Sequence, residues 1–270
     1  MEYTDKRLLF RGASWYEPSG AVILYDDFTG QVMNPDAWDT VQVQQTAGTA
    51  WVTGLTAGGA DGGHGGWIRG VTGTGDDDCE LVQGSANWTT LNLGNSTLVF
   101  ETRIVLPVIT TVCLNAGMVS PIISTGAAGG IWNVTSSDAV TDHSDVTNGA
   151  CWTFDTDQTT DVFRGVATKG STVGTFAAAV TGDAPPTDDP FVLRIEQDST
   201  GAGFFSMSRV PSGYTAGDGV GPLEYRGAIV DTATATTAMA PFIAVTARAA
   251  TDNLAAECDY IFCAAARSIK

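Results

Sequence analysis

Apolar residues recur at every second position of this chain, in short runs bounded by turn residues, and no other feature constrains the fold as much. Between Thr97 and Leu106 the side chains of Leu98, Phe100, Ile104 and Leu106 fall on one side of an extended backbone, and Glu101 and Arg103 fall on the other. That is the signature of a strand with one covered face. Ala21 to Phe28, Thr40 to Gln44, Thr111 to Val119, Phe191 to Glu196, Gly203 to Ser208, Pro241 to Arg248 and Asp259 to Ala264 read similarly. No run of about ten residues carries the roughly 3.6-residue apolar period of a helix, and Gly and Pro would interrupt most attempts. Many short strands at even spacing predict an all-β chain, folded as a sandwich or a barrel.

With 270 residues, 43% of them hydrophobic, the chain can bury one core without disulfide staples. The expected organisation is a short N-terminal arm over 1–20 and a single sandwich domain over 21–270. Charged residues make up only 16% of the chain and carry a net charge of −17. That excess repels nucleic-acid phosphates and anionic membrane surfaces, so neither is an expected partner. The opening MEYTDKRLLFRG lacks the apolar core of a signal peptide, and no run of about 18 apolar residues follows. Cytoplasmic synthesis with reduced thiols is expected, and the five cysteines, an odd number, read as small buried hydrophobes.

Two segments break the alternation. Residues 1–20 combine Lys6, Arg7 and Arg11 with Phe10 and Trp15. A basic, aromatic arm on an acidic body is a candidate partner-binding element, and those five residues are its candidate contacts. An ordinary first strand with a ragged end is the alternative. Residues 58–75 hold nine glycines in eighteen positions and read as a surface loop leading into a short strand at Trp67 and Ile68. They do not match a phosphate-binding loop.

Asp26-Asp27-Phe28-Thr29-Gly30 with Asn34 and Trp38 resembles the opening of concanavalin A-like, laminin G-type jelly rolls. Val99 to Ile104, the strand–turn–strand from Phe191 to Met207, and the closing Cys258-Asp259-Tyr260-Ile261-Phe262 are similar to later strands of that family. The ordered points span nearly the whole chain. The lack of a signal peptide, the Gly-rich GGHGG stretch and the Ala266-Arg267 pair near the last residue together look most like structural proteins of tailed bacteriophages. The resemblance implies two stacked sheets, one concave. It also raises glycoside hydrolysis, because some relatives of this type are glucanases. Such enzymes alternate Glu-x-Asp-x-Glu along one strand; Glu196-Gln197-Asp198 has two members and then turns, and Glu101-Thr102-Arg103 offers one carboxylate. His64 and His143 lie in no nucleophile or zinc motif. No catalytic residue and no cofactor are expected.

Three acidic groups are candidates for calcium loops: Asp76-Asp77-Asp78; Asp138, Asp142 and Asp145; and Asp155, Asp157 and Asp161. The last lacks the glycine and the final glutamate of an EF-hand, and all three read as solvated surface, with no metal expected. Among the seven tryptophans, Trp38, Trp51, Trp88 and Trp152 read as core, whereas Trp15, Trp67 and Trp132, beside Gly or turn residues, read as candidates for exposure. The function expected from these features is a non-enzymatic virion component. Its most concrete form is a decoration protein on the outside of a phage capsid, bound to the major capsid protein or other virion proteins, in a homo-oligomer or symmetric array. The alternative is a carbohydrate- or receptor-binding module of a tail or head fibre.

Overall fold

A computed structural model describes residues 21–28, 33, 36–43, 48–53, 67–84, 97–120, 131–142, 145–170, 172–173, 184–185, 189–208, 221–230, 232–234, 237–250 and 254–266. Among them there is no helix. The strands run β1 (Ala21–Asp26), β2 (Trp38–Val43), β3 (Thr49–Thr53), β4 (Ile68–Val71), β5 (Cys79–Gly84) and β6 (Leu98–Val105). They continue as β7 (Val112–Ser120), β8 (Trp132–Val134), β9 (Val140–Asp142), β10 (Asn148–Asp155), β11 (Arg164–Lys169) and β12 (Thr172–Val173). The last five are β13 (Phe191–Gln197), β14 (Gly203–Ser208), β15 (Leu223–Ile229), β16 (Ala240–Ala247) and β17 (Ala255–Ala266).

These strands make the expected antiparallel sandwich. One sheet has eight strands, ordered β15-β14-β13-β6-β17-β4-β3 with β1 also on β17; the other has seven, ordered β12-β11-β10-β7-β16-β5-β2. A separate hairpin pairs β8 with β9. The core between the sheets is built from alternate residues: Phe100 and Ile104 of β6, Leu114 and Met118 of β7, Trp152 and Phe154 of β10, and Ile243 and Val245 of β16. In β6 the outward Glu101, Arg103 and Val105 are only partly buried, as the alternation predicts. Thr102 is the exception on the inward side. Its fully buried hydroxyl donates to the Tyr260 carbonyl at 2.7 Å and so avoids the cost of an unpaired polar group.

Strands β7, β10 and β16 are buried at every position. A strand at the surface of a two-layer sandwich shows one wet face, so something else covers the outward face of the seven-stranded sheet.

Candidate functional site

That cover is the β8–β9 hairpin. Cross-strand register puts Cys79 and Leu81 of β5, Val119 of β7, Cys151 of β10, Val166 of β11 and Phe242 and Ala244 of β16 on the outward face. They form a second apolar cluster with Ile131, Trp132 and Val146, against which Val140 packs. Trp132 is fully buried, with its ring centroid 5.8 Å from that of Phe242. The expectation that Trp132 is a candidate for exposure is therefore corrected. One edge of its indole abuts Gly149, where a Cβ would come within 2.8 Å of the ring and 2.5 Å of the Met118 carbonyl; a larger residue there would crowd both the hairpin and the sheet.

Buried polar side chains of the sheet hold the hairpin backbone as a neighbouring strand would. Asn115 accepts from the Ile131 and Trp132 amides at 2.9 and 3.0 Å and donates to the Trp132 carbonyl at 3.0 Å. Asp155 accepts from the Val134 amide at 2.8 Å. The Trp132 indole N–H donates to Thr168 Oγ1 at 3.0 Å, and that hydroxyl donates to Asp142 at 2.7 Å.

The same Asp155 anchors an ionic cluster centred on Arg248. Arg248 Nε and Nη2 donate to the two Asp155 oxygens at 2.9 and 2.7 Å, a bidentate pair. Nη1 donates to Asp77 at 2.7 Å, Nη2 also reaches Asn133 Oδ1 at 2.6 Å, and Asp157 stands 3.7 Å from Nε. Both central side chains are out of solvent, Arg248 at 5% exposure and Asp155 at 0%. Two residues bonded to Arg248 lie in the left-handed region: Asp77 at φ 65°, whose carboxylate accepts from the guanidinium, and Thr111 at φ 59°, whose carbonyl accepts the Arg248 backbone amide. Conformations of this kind cost about 1–3 kcal/mol each, so the cluster that retains them over-determines the local backbone.

Beside Arg248 opens a depression of about 480 Å³. Asn133, Val134, Thr135, Ser136 and Thr141 of the hairpin line one side, and Asp77, Asp157 and Arg248 line the other. Three carboxylates against one guanidinium leave two formal negative charges in excess. Partial burial raises the Asp157 carboxyl above the usual carboxylate range, and Arg248 opposes that shift. The lining supplies hydroxyls, an amide and carboxylate acceptors, but no imidazole and no thiol. It suits a neutral, hydroxyl-rich ligand and disfavours an anion.

Several candidates from the sequence come together here, and several do not. Asp77, Asp155 and Asp157 come from two separate acidic groups and meet on one arginine, so reading all three groups as solvated surface is corrected for Asp155, and also for Asp78, which is buried and accepts the Gly75 amide at 2.8 Å. In the remaining group Asp138 pairs with Arg164 at 2.9 Å. Among the described residues no three His, Cys, Asp or Glu side chains are placed to hold a metal ion. On the opposite face of the molecule Glu101 and Glu196 flank Arg194, each 2.9 Å from it, and Glu101 also accepts the Tyr260 hydroxyl at 2.7 Å. Trp38, Trp51 and Trp152 are core, while Trp67 is half-buried with the Arg103 guanidinium 5.3 Å from its ring centroid. Lys6, Arg7, Phe10, Arg11 and Trp15 lie outside the described residues, as do Trp88, His64, His143 and residues 58–66.

All five cysteines are buried and unbridged. Burial pushes the Cys79 thiol up to about 12 and raises the other four above the ordinary thiol range. Because the thiolate is the reactive form, the folded protein should leave a thiol reagent such as DTNB untouched at pH 8. All five thiols should titrate in denaturant. Prompt native-state reaction at any described cysteine would contradict this burial.

No protein-family model matches the chain, and no curated protein matches it. Solved structures do match along its length. Peanut lectin with a bound 9-residue peptide superposes with a TM-score of 0.57 at 12% identity, covering 93% of this chain and 99% of that one. The lectin UEA-II complexed with galactose gives 0.55 at 11% identity, covering 90% and 98%. The Bacillus licheniformis β-glucanase gives 0.52 at 8% identity, covering 92% and 99%. Likeness at such low identity is a statement of fold: the chain is a lectin-like, concanavalin A-like jelly-roll sandwich.

Proposed function

We propose that this chain is a non-catalytic recognition module whose hairpin-bearing face binds a hydroxyl-rich ligand, a glycan, at the depression beside Arg248. One observation carries the reading: the outward face of the seven-stranded sheet is filled by the protein's own β8–β9 hairpin, leaving a polar depression at its rim in place of a long groove. Cleavage of a glycosidic bond needs two carboxylates across the bond, one as acid and one as nucleophile or base. Around Arg248 and around Arg194 the carboxylates instead converge on a guanidinium. The lectin complexed with galactose supports the ligand class by likeness of fold alone.

A glycan array followed by calorimetry tests this. The wild type is expected to show selective binding, with Asp157→Ala and Thr141→Ala each weakening it about tenfold, as loss of one or two hydrogen bonds would. Affinity unchanged in both variants, or an array with no selective signal, would reject the site. Turnover of a glucan or galactan would reject the non-catalytic reading.

A second reading has its own support. The net charge of −17 and the exposed Leu223 and Tyr225 side chains of one edge strand suit a virion component, most concretely a phage capsid decoration protein held on the outer surface by contacts with the major capsid protein. In that reading residues 1–14 help to anchor it. Removing them lowers occupancy on particles measured by mass spectrometry, and its absence from purified particles would eliminate the reading.

A further inference from the structure

The β8–β9 hairpin is held differently at its base and at its tip. At the base the buried side chains of Asn115, Asp155 and Thr168 bond Ile131, Trp132 and Val134. At the tip Ser136, Ser137, Asp138 and Ala139 are exposed, and the turn closes through the Thr135 amide, which donates to the Ala139 carbonyl at 2.9 Å. Asp138 takes the left-handed position of this turn at φ 58°. Glycine is the usual residue there, because a side chain makes that backbone conformation costly. Aspartate accepts the cost and gains bonds that glycine cannot make. Its Oδ1 accepts from Arg164 Nη2 at 2.9 Å and from the Thr159 amide at 3.3 Å, and the Thr159 hydroxyl donates to the Ser136 carbonyl at 2.6 Å. Gln158 steadies the arginine, accepting from its Nε and donating to the Val162 carbonyl at 2.7 Å.

These bonds join the two walls of the depression beside Arg248. Thr135 and Ser136 line it from the hairpin, and Asp157 lines it from the β10–β11 loop that also carries Thr159. We infer that Asp138 is a positioning residue: with Arg164 and Thr159 it clasps the hairpin turn to that loop, sets the width of the depression, and lets the turn open when the clasp is released. The Asp138 side chain is 41% exposed, so salt screens its ion pair, which contributes little once two side chains have been ordered. Separating the base would instead strand buried polar groups without partners, a far larger cost. The turn is therefore the part of the hairpin that opens first, swinging about a base that Trp132 keeps in place. The inference rests on reading the depression as the binding site. Its experiment contains no glycan, so either can fail alone.

Nitrogen-15 relaxation of the full chain at neutral pH tests it. The amides from Thr135 to Ala139 and from Asp157 to Thr160 should share one exchange process on the μs–ms scale, absent at Ile131, Trp132 and Val134. Raising NaCl from about 0.15 to 1 M, which shortens the Debye length from about 8 to 3 Å, should raise the open population about threefold. Asp138→Gly cuts the clasp while supplying the residue that the backbone prefers, so folding is not threatened. Its melting temperature should change little, while order parameters in the turn fall below about 0.6 and that of Trp132 stays near about 0.85. Asp138→Asn keeps an acceptor for the Thr159 amide but loses the ion pair, and its turn should become indifferent to salt. Turn order parameters unaltered by Asp138→Gly overturn the proposal. So does a wild type whose turn shows no exchange, or whose exchange salt leaves unchanged.

Discussion

Asp155→Ala is expected to lower the unfolding free energy by about 3–5 kcal/mol, the penalty for stripping the partner from a buried charge. Arg248 would remain at 5% exposure with its bidentate acceptor gone. The Val134 and Asp157 amides, both now bonded to Asp155, would lose their acceptor as well. For a chain of this size the loss corresponds to roughly 6–20 °C in melting temperature. The double variant Asp155→Leu with Arg248→Met removes both charges together and should be less destabilised than Asp155→Ala alone, because no uncompensated ion is left behind. Urea unfolding of the three proteins decides the matter. A loss under about 1 kcal/mol for Asp155→Ala would mean that water solvates the guanidinium and that the cluster is a surface feature.

Trp132→Ala is expected to be comparably severe, at about 3–5 kcal/mol. The substitution empties the space between the hairpin and the sheet, and it leaves Thr168 Oγ1 without the indole donor. Gly149, whose missing side chain admits the ring, offers nothing to refill the gap. The functional consequence follows from the location. With its anchor removed the hairpin should detach from Leu81, Cys151 and Phe242, exposing an apolar floor that binds the dye ANS. Glycan affinity should fall as well, since Asn133, Thr135, Ser136 and Thr141 all ride on that hairpin or its turn. Trp132→Phe, keeping the ring but not the N–H, should retain most of the stability. Full glycan affinity in a stably folded Trp132→Ala protein would show that the hairpin does not form the site.

Strand existence was legible wherever a strand has one covered face and one wet face. In β6 the alternation of Phe100 and Ile104 with Glu101 and Arg103 is the physical pattern itself, since period-two side-chain direction sorts residues between core and surface. The short strand expected at Trp67 and Ile68 was legible too, and it appears as β4. The role of Trp132 was not. Its neighbours in sequence are those of an exposed turn residue, and its burial depends on Gly149 in another strand. The acidic groups failed in the same way. Asp155 and Asp161 look equivalent in sequence, yet Asp155 ends a strand facing the hairpin and Arg248, while Asp161 is exposed.

The amino-acid sequence by itself determined the class of architecture: alternating apolar positions, glycine and proline punctuation and a scarcity of charge compel extended strands that stack their apolar faces. Tertiary structure alone decided where function could reside. It brought Arg248 to Asp77, 171 residues away, and to Asp155, 93 residues away, and it laid a hairpin across a face that the alternation would have left open. Local patterning records which way a side chain points but not which strand lies beside it, and the pairing order that settles this is a property of the whole closed sheet.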